Sequence, residues 1–376
     1  MLKLDGANES LFSKIANAGS WERAEVLNNL AQLVKDAGLS YALMALFRQQ
    51  VNCGLVLADP LKLGRENQKS FFDPETNVTF SLNWNPYRLI RLNHVELVKR
   101  GVIHGNVDQS KLINRDKRGK ACYLCKANID LQNPKEILWR IDLAGGSFYI
   151  GANIAFIMNN HFTIMNELHI SQVYDKVVIE SLNDFVDKVD GCFRVISNGL
   201  AGASIKEHLH LQAVSNEFPI ERICVKDGDL VYQKDGVVVY VPAYYLTVWI
   251  IEGRLKEEVN SVAHMMIQKW FELNIQYHTI NIIAVKDAEK RKFRTFIIPR
   301  DIRKLYGAGK RGTMAAFEAG GYIVLSGDRK QGINDGIDER GTFNNADLGL
   351  VKQMLRDISS SKEACEDLVR WVEGFG

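Results

Sequence analysis

Nowhere does the 376-residue chain carry an apolar run near the ~18 residues that a membrane-spanning helix needs, which excludes such a helix. Its first ten residues, Met1 to Ser10, lack the apolar stretch of a secretory leader, so none is expected. A dominant sign of charge is missing as well. The 47 Lys and Arg against 45 Asp and Glu give a formal +2, which is no global footprint for nucleic acid. Cysteine is scarce, and four of the six stand alone, which does not resemble a disulfide framework in a chain this long. Together these absences predict a cytoplasmic, reducing location with neither a membrane nor a nucleic-acid partner. The remaining composition, 46% hydrophobic and 24% charged, is that of a globular protein with a substantial core in one large or two ordinary domains.

Apolar periodicity predicts two or three helices over 8–50, while 55–75 reads as mixed and loop-like. Val78 to Asn83 alternates as a strand that Pro86 ends. The basic stretch 101–121, with Lys111, Arg115, Lys117, Arg118 and Lys120, reads as a solvated connection, with a phosphate-binding arm as the alternative. Strands are expected at 137–141, 147–150 and 155–158, then a helix over 173–189 and a strand at 192–196. Further strands are expected at 220–225, 279–285 and 294–298, with a hairpin through 230–240 turned at Lys234-Asp235-Gly236. Helices are expected over 255–273 and 347–371, and between them a glycine-rich loop at 307–312 and an apolar stretch at 315–325. The order strand, strand, helix, strand, loop, strand predicts an α+β fold, a sheet with a helix packed across it. The second half loosely echoes the first, without its His-x-His.

The chemistry concentrates in 198–214. From His208 the chain alternates, setting His208, His210 and Gln212 on one strand face and Leu209, Leu211 and Ala213 on the other. Before them, Gly199, Gly202, Ala203 and Ser204 form a small-residue loop whose backbone N–H groups can approach an anion closely. A single strand histidine is most often a satisfied core residue. Two on one face beside an amide are costly to bury without partners, which favours a site. Cys122-Tyr-Leu-Cys125 reads as a zinc half-site, a redox pair or coincidence. Zinc needs two more ligands, for which His161 and His208 are the candidates. If His208 holds metal, His210 is left as a nucleophile towards phosphorus or as a general base acting on water. Gln212 and Ser204 would then donate to phosphate oxygens.

His208-Leu-His210-Leu-Gln212, preceded by Asn198 and Gly202-Ala203-Ser204, resembles the signature of the histidine-triad (HIT) superfamily. It is most similar to the transferase branch, which holds galactose-1-phosphate uridylyltransferase, diadenosine tetraphosphate phosphorylase and the GDP-hexose phosphorylases. The segment from His161 through His169 to Gln172 resembles that superfamily's earlier His-containing segment, and Asn85-Pro86-Tyr87-Arg88 resembles a bacterial group in the branch. The likeness is good over 80–215, faint over 275–325 and not seen over 1–75.

The resemblance implies a HIT-like antiparallel sheet over 76–215 and a degenerate second half over 216–376, while the apolar periodicity sets 1–75 apart as an added helical segment. It implies zinc on Cys122, Cys125, His161 and His208, a nucleotidyl group carried by His210, and phosphate bound by Gln212. Asn198, Gly202, Ala203, Arg88 and Arg300 would contact the substrate, Arg300 because Ile298-Pro299-Arg300 resembles the diadenosine phosphorylases. Hydrolases of the superfamily have His where Gln212 stands, so transfer from a nucleotide sugar or dinucleoside polyphosphate to phosphate or a sugar phosphate is implied. A nucleotide hydrolase and a non-catalytic nucleotide-binding or sensor protein are the alternatives, and a homodimer is compatible with each. The spacing Ser204-Ile-Lys-Glu-His208 is one residue longer than the Ser-x-Pro-His of the uridylyltransferases and lacks its proline.

Overall fold

A computed structural model of the chain describes residues 5–90, 94–116, 119–172, 174–274, 276–327 and 337–374. Lys117 and Arg118 of the basic stretch and Val173 at the start of the expected helix lie outside the described residues.

Three helices come first, α1 (Gly6–Asn17), α2 (Arg23–Ala37) and α3 (Leu39–Asn52). Asp5 caps α1 by accepting from Asn8 N, and Val26, Leu30 and Leu33 line the buried face of α2 at helical spacing. A hairpin follows, β1 (Gln68–Asp73) and β2 (Val78–Trp84), where the sequence suggested a loop before the strand. The β1 strand escapes period-two reading because Phe72 is exposed and Phe71 only half-buried. Three short helices, α4 (Tyr87–Ile90), α5 (His94–Lys99) and α6 (Lys126–Gln132), lead to β3 (Trp139–Leu143), β4 (Gly146–Ala152) and β5 (Phe162–Asn166).

The strand expected at 155–158 is instead a loop. Its backbone groups go to side chains: Asn85 Nδ2 donates to Phe156 O, Arg88 to Ala155 O, and Ile157 N to His161 Nδ1.

The chain continues through α7 (Lys176–Lys188), β6 (Arg194–Asn198) and β7 (His210–Val214). The expected strand at 220–225 is a short 3-10 turn, opened by Pro219 and capped by Glu221 on Phe218 N. Next come β8 (Leu230–Lys234), β9 (Val237–Tyr240), β10 (Trp249–Gly253), α8 (Lys256–Leu273), β11 (His278–Asp287) and β12 (Lys292–Asp301). The β8–β9 turn places Asp235 and Gly236 at φ 49° and 78°, as that hairpin chemistry requires. The chain closes with α9 (Ala316–Ala319), β13 (Tyr322–Leu325), α10 (Glu339–Asn345), α11 (Leu348–Asp357) and α12 (Lys362–Glu373). The single C-terminal helix of the sequence reading is thus broken, and Ser361 caps a new one by accepting from Ala364 N.

The fold is α+β. Among the described residues, ten strands form one antiparallel sheet in the order β3-β4-β5-β7-β6-β11-β12-β10-β9-β8. Its two halves share one plan: two hairpin strands, a third strand, a helix, then two strands of which the last inserts beside the third. They join where β6 pairs with β11, Asn198 lying opposite Asn281. The sheet therefore runs unbroken across residue 215.

On one face Leu211 and Ala213 of β7, Val195 of β6 and Ile282 of β11 pack with α1–α3, α7, α8 and α12. On the other, Ile196, Val214, Ile283, Phe296 and Ile298 pack against β2, β13, α9 and α11. There β2 pairs with β1 on one edge and, in parallel, with β13 on the other, making a three-stranded sheet. Each buried Leu, Ile or Phe contributes about 1.5–3 kcal/mol. A one-residue slip of β7 would expel Leu211 and drive His210 and Gln212 into the helical face, so the register is fixed. Among the described residues, no helix is long and apolar enough to cross a membrane.

Candidate active site and metal centre

The alternation of β7 leaves His210 and Gln212 on the face opposite Leu211 and Ala213, away from α1–α3, α7, α8 and α12. Two bonds from one side chain hold the strand's first residue: Gln172 Oε1 accepts from His210 N at 2.9 Å and Gln172 Nε2 donates to His210 O at 3.1 Å. His210 Nδ1 lies 2.8 Å from His208 O. A carbonyl only accepts, so Nδ1 carries the proton and Nε2 keeps its lone pair. Burial pushes the imidazole below its ordinary pKa, which keeps the ring neutral and nucleophilic near neutral pH.

Both amides beside it are oriented by groups whose roles are unambiguous. Ile157 N–H donates to His161 Nδ1 at 2.9 Å, so His161 Nε2 carries the proton and donates to Gln212 Oε1, also at 2.9 Å. Gln212 therefore turns its NH2 away from His161. Asn198 Oδ1 accepts from Ala316 N at 2.9 Å and from Asn281 Nδ2 at 3.0 Å, so its NH2 faces the other way too. The β6–β7 register pairs Ile196 with Gln212; extended by two residues, it sets Asn198 opposite His210. Among the described residues, His210 Nε2, Gln212 Nε2 and Asn198 Nδ2 make no hydrogen bond, and none is sealed from solvent. One lone pair and two NH2 groups thus share a face, an arrangement suited to an electrophilic phosphorus with anionic oxygens.

His161 does not join the cysteines, contrary to the sequence reading. Both ring nitrogens are engaged as described, and Phe317 packs edge-on against the ring at 5.2 Å. The fourth donor beside Cys122, Cys125 and His208 is His169, and the four donor atoms lie within 4.8 Å of one another. His208 Nε2 donates to Asn166 O at 2.8 Å, which points Nδ1 into the cluster. From Nδ1 the distances are 3.3 Å to Cys122 Sγ, 3.6 Å to Cys125 Sγ and 3.3 Å to His169 Nδ1, and His169 Nδ1 is 3.4 Å from Cys125 Sγ. Tetrahedral zinc at ordinary bond lengths sets N–N edges of about 3.3 Å and N–S edges of about 3.5 Å. The donor set fits. Leu124 N and Asn114 Nδ2 donate to Cys122 Sγ and Cys125 Sγ at 3.4 and 3.1 Å, supporting thiolate character. Burial pushes the Cys122 thiol up to about 11 and the His208 imidazole down to about 4, and a cation among the donors offsets the first cost by taking a thiolate.

The remaining residues singled out in the sequence are scattered. Gly202 takes φ 119° with Ala315 directly against it, and Ala203 is buried. Ser204 is exposed and, with Arg115, Lys120, Lys206, Cys122 and His169, lines an open cleft of about 180 Å³ beside the Cys/His cluster. Arg88 donates to Ala155 O. Arg300 is fully buried and spends its donors on Ile358 O, Met314 O, Lys304 O and Asn281 Oδ1, so it reaches no substrate directly. Gln172 and Asn281 were not assigned from the sequence. Gln172 stands three residues after His169, and Asn281 is a lone amide in an apolar strand; that polar interruption is its signal.

A family model described as a domain of unknown function, DUF4922, matches residues 75–215. No curated protein matches the sequence. Among solved structures, yeast Ap4A phosphorylase Apa2 is 12% identical with a TM-score of 0.46, covering 78% of this chain and 89% of its own. A galT-like protein from Arabidopsis thaliana is 13% identical with a TM-score of 0.35, covering 78% and 99%. A DUF4931 family protein from Bacillus cereus is 13% identical with a TM-score of 0.31, covering 44% and 85%.

Proposed function

We propose that the chain is a nucleotidyltransferase of the phosphorylase kind, working by double displacement through His210. His210 Nε2 attacks the α-phosphorus of a nucleotide sugar or dinucleoside polyphosphate. A P–N bond forms, the P–O bond to the leaving phosphate ester breaks, and the leaving oxygen takes the electron pair. Phosphate or a sugar phosphate then attacks the same phosphorus from the vacated side, forming a P–O bond and returning the pair to Nε2. Gln212 and Asn198 donate to the phosphate oxygens as charge builds there.

The observation that carries this reading is the His210 Nδ1–His208 O bond, which leaves a neutral Nε2 lone pair beside two amide donors whose acceptor ends are already taken. Gln212 supports transfer over hydrolysis: an amide held in one orientation offers no base to activate water. Zinc on Cys122, Cys125, His169 and His208 would tie the 122–125 turn and the end of β5 to the start of β7. It supplies rigidity there, and the chain's own groups carry out the transfer.

Incubation with α-³²P-labelled nucleotide sugars and dinucleoside polyphosphates is expected to give an acid-labile, base-stable adduct in the wild type and none in His210→Ala. Equal labelling of the two proteins would overturn the assignment of His210. Tight nucleotide binding without adduct or turnover would identify a binding protein. Turnover indifferent to added phosphate or sugar phosphate would identify a hydrolase.

A further inference from the structure

The polar row on the site face continues past the join between the two halves. Arg300 of β12 reaches back to Asn281 of β11, which lies opposite Asn198 of β6, which in turn lies beside His210. Among the described residues, the buried Arg300 guanidinium makes no ion pair; its acceptors are three carbonyls and one amide oxygen. The acid whose charge it feels most, Glu318, is itself bound to Lys310 at 3.2 Å. A buried cation with only neutral acceptors is costly unless an anion lies nearby.

Chemistry fixes the direction of each bond in the row. A guanidinium only donates, so Asn281 turns Oδ1 towards Arg300 and Nδ2 towards Asn198 Oδ1 at 3.0 Å and Ala201 O at 2.8 Å. The same amide thus holds the Asn198 side chain and a carbonyl of the glycine loop. Leu200 N donates to Thr279 Oγ1 at 3.1 Å and Gly199 N to Ile280 O at 3.1 Å, so β11 grips the loop at three successive residues. Along the row Arg300–Asn281–Asn198, each side-chain donor points towards the His210 end.

We propose that Asn281 and Arg300 are positioning residues by which the second half of the sheet builds an anion site in the first, holding Asn198 as a one-sided donor for a substrate phosphate. Aligned hydrogen bonds carry the polarity of the guanidinium to the Asn198 NH2 without contact between Arg300 and the substrate. The inference rests on β7 and Asn198 forming a phosphate site, as in the function proposed above, but not on the covalent step.

Asn281→Asp separates positioning from folding. The carboxylate keeps the shape and the acceptor for Arg300, but it donates nothing to Asn198 or Ala201 and cancels the guanidinium charge. Calorimetric titration with inorganic pyrophosphate is expected to show binding by the wild type and at least about tenfold weaker binding by Asn281→Asp, on the scale of a charge-assisted hydrogen bond. The melting temperature without ligand is expected to equal or exceed that of the wild type. With ¹⁵N-asparagine labelling, the Asn198 side-chain signal should move on adding pyrophosphate in the wild type and stay still in the variant. Pyrophosphate affinity within twofold of wild type would overturn the proposal, as would a wild type that binds no pyrophosphate. Should Asn281→Asp not fold, Asn281→Ser, which retains an acceptor for Arg300, is read by the same titration and limits. Adduct formation by both proteins at equal rates removes the role of Asn281 and leaves the function of His210 standing. Pyrophosphate binding lost in the variant, with no adduct in either protein, does the reverse.

Discussion

His161 Nε2 donates to Gln212 Oε1 at 2.9 Å, and this bond decides which end of the Gln212 amide is left free beside His210. Because Ile157 N–H occupies His161 Nδ1, the ring has one tautomer and Gln212 one orientation. Replacing His161 by Ala frees the amide to turn its oxygen towards a phosphate. Adduct formation is expected to slow about tenfold, on the scale of one oriented hydrogen bond, while the metal content per chain stays as in the wild type. Rapid-quench labelling and elemental analysis on one preparation check both; loss of metal would return His161 to the ligand set.

His169 should behave in the opposite way. With His169→Ala the cluster loses one of its four donors, and zinc is expected to fall well below one per chain. Chelation of the wild type should lower its melting temperature, because binding to the folded state alone stabilises it by mass action. Elemental analysis and thermal scans before and after chelation decide this, and an unchanged metal content in His169→Ala would refute it.

The glycine loop tolerates little at Gly202. Its φ of 119° strains any L side chain, and a Cβ there would sit 2.4 Å from Ala315 Cβ. Gly202→Ala is expected to cost about 1–3 kcal/mol of stability and to weaken pyrophosphate binding as the loop shifts from Asn198. Urea denaturation and the same titration measure the two effects.

Acid should loosen the three-stranded sheet before the rest of the fold. Burial opposes ionisation of Asp73 at the end of β1, but bonds from Thr76, Lys352 and Tyr245 outweigh it and hold the carboxyl at about 2, below its ordinary 3.8. A depressed folded pKa means the stabilisation is complete above about pH 4 and is lost as pH falls towards 2. Asp73→Asn should be less stable at pH 7 and should show a flatter decline between pH 4 and 2. Parallel declines in the two proteins would contradict the assignment.

Much of the site was legible because two signals coincide in 198–214: the alternation that makes β7 a half-buried strand, and the glycines that let its loop turn. His169 lies outside such a signal. It follows the end of β5, between the exposed Leu168 and Ile170, where no periodicity operates, and only the folded chain brings it to Cys125. His161 misled for the complementary reason, since a histidine flanking a strand looks the same in sequence whether it holds metal or an amide. Eight strands of the ten-stranded sheet were readable, while β5 was missed. Strand β10 went unassigned, and the loop at 155–158 imitates a strand because its bonding partners, Asn85, Arg88 and His161, are distant in sequence or hidden in a turn. Arg300 was expected to contact substrate; its burial away from any substrate comes from the fold of the second half, which its local sequence does not show.

The parallel pairing of β2 with β13 joins strands from opposite ends of the chain, over the face that carries His210. While the chain is being synthesised, the β2 edge that β13 will cover stays bare until residue 325 has left the ribosome. A nascent chain therefore shows chaperones and proteases an open strand edge beside an unfinished site until β13 has been made.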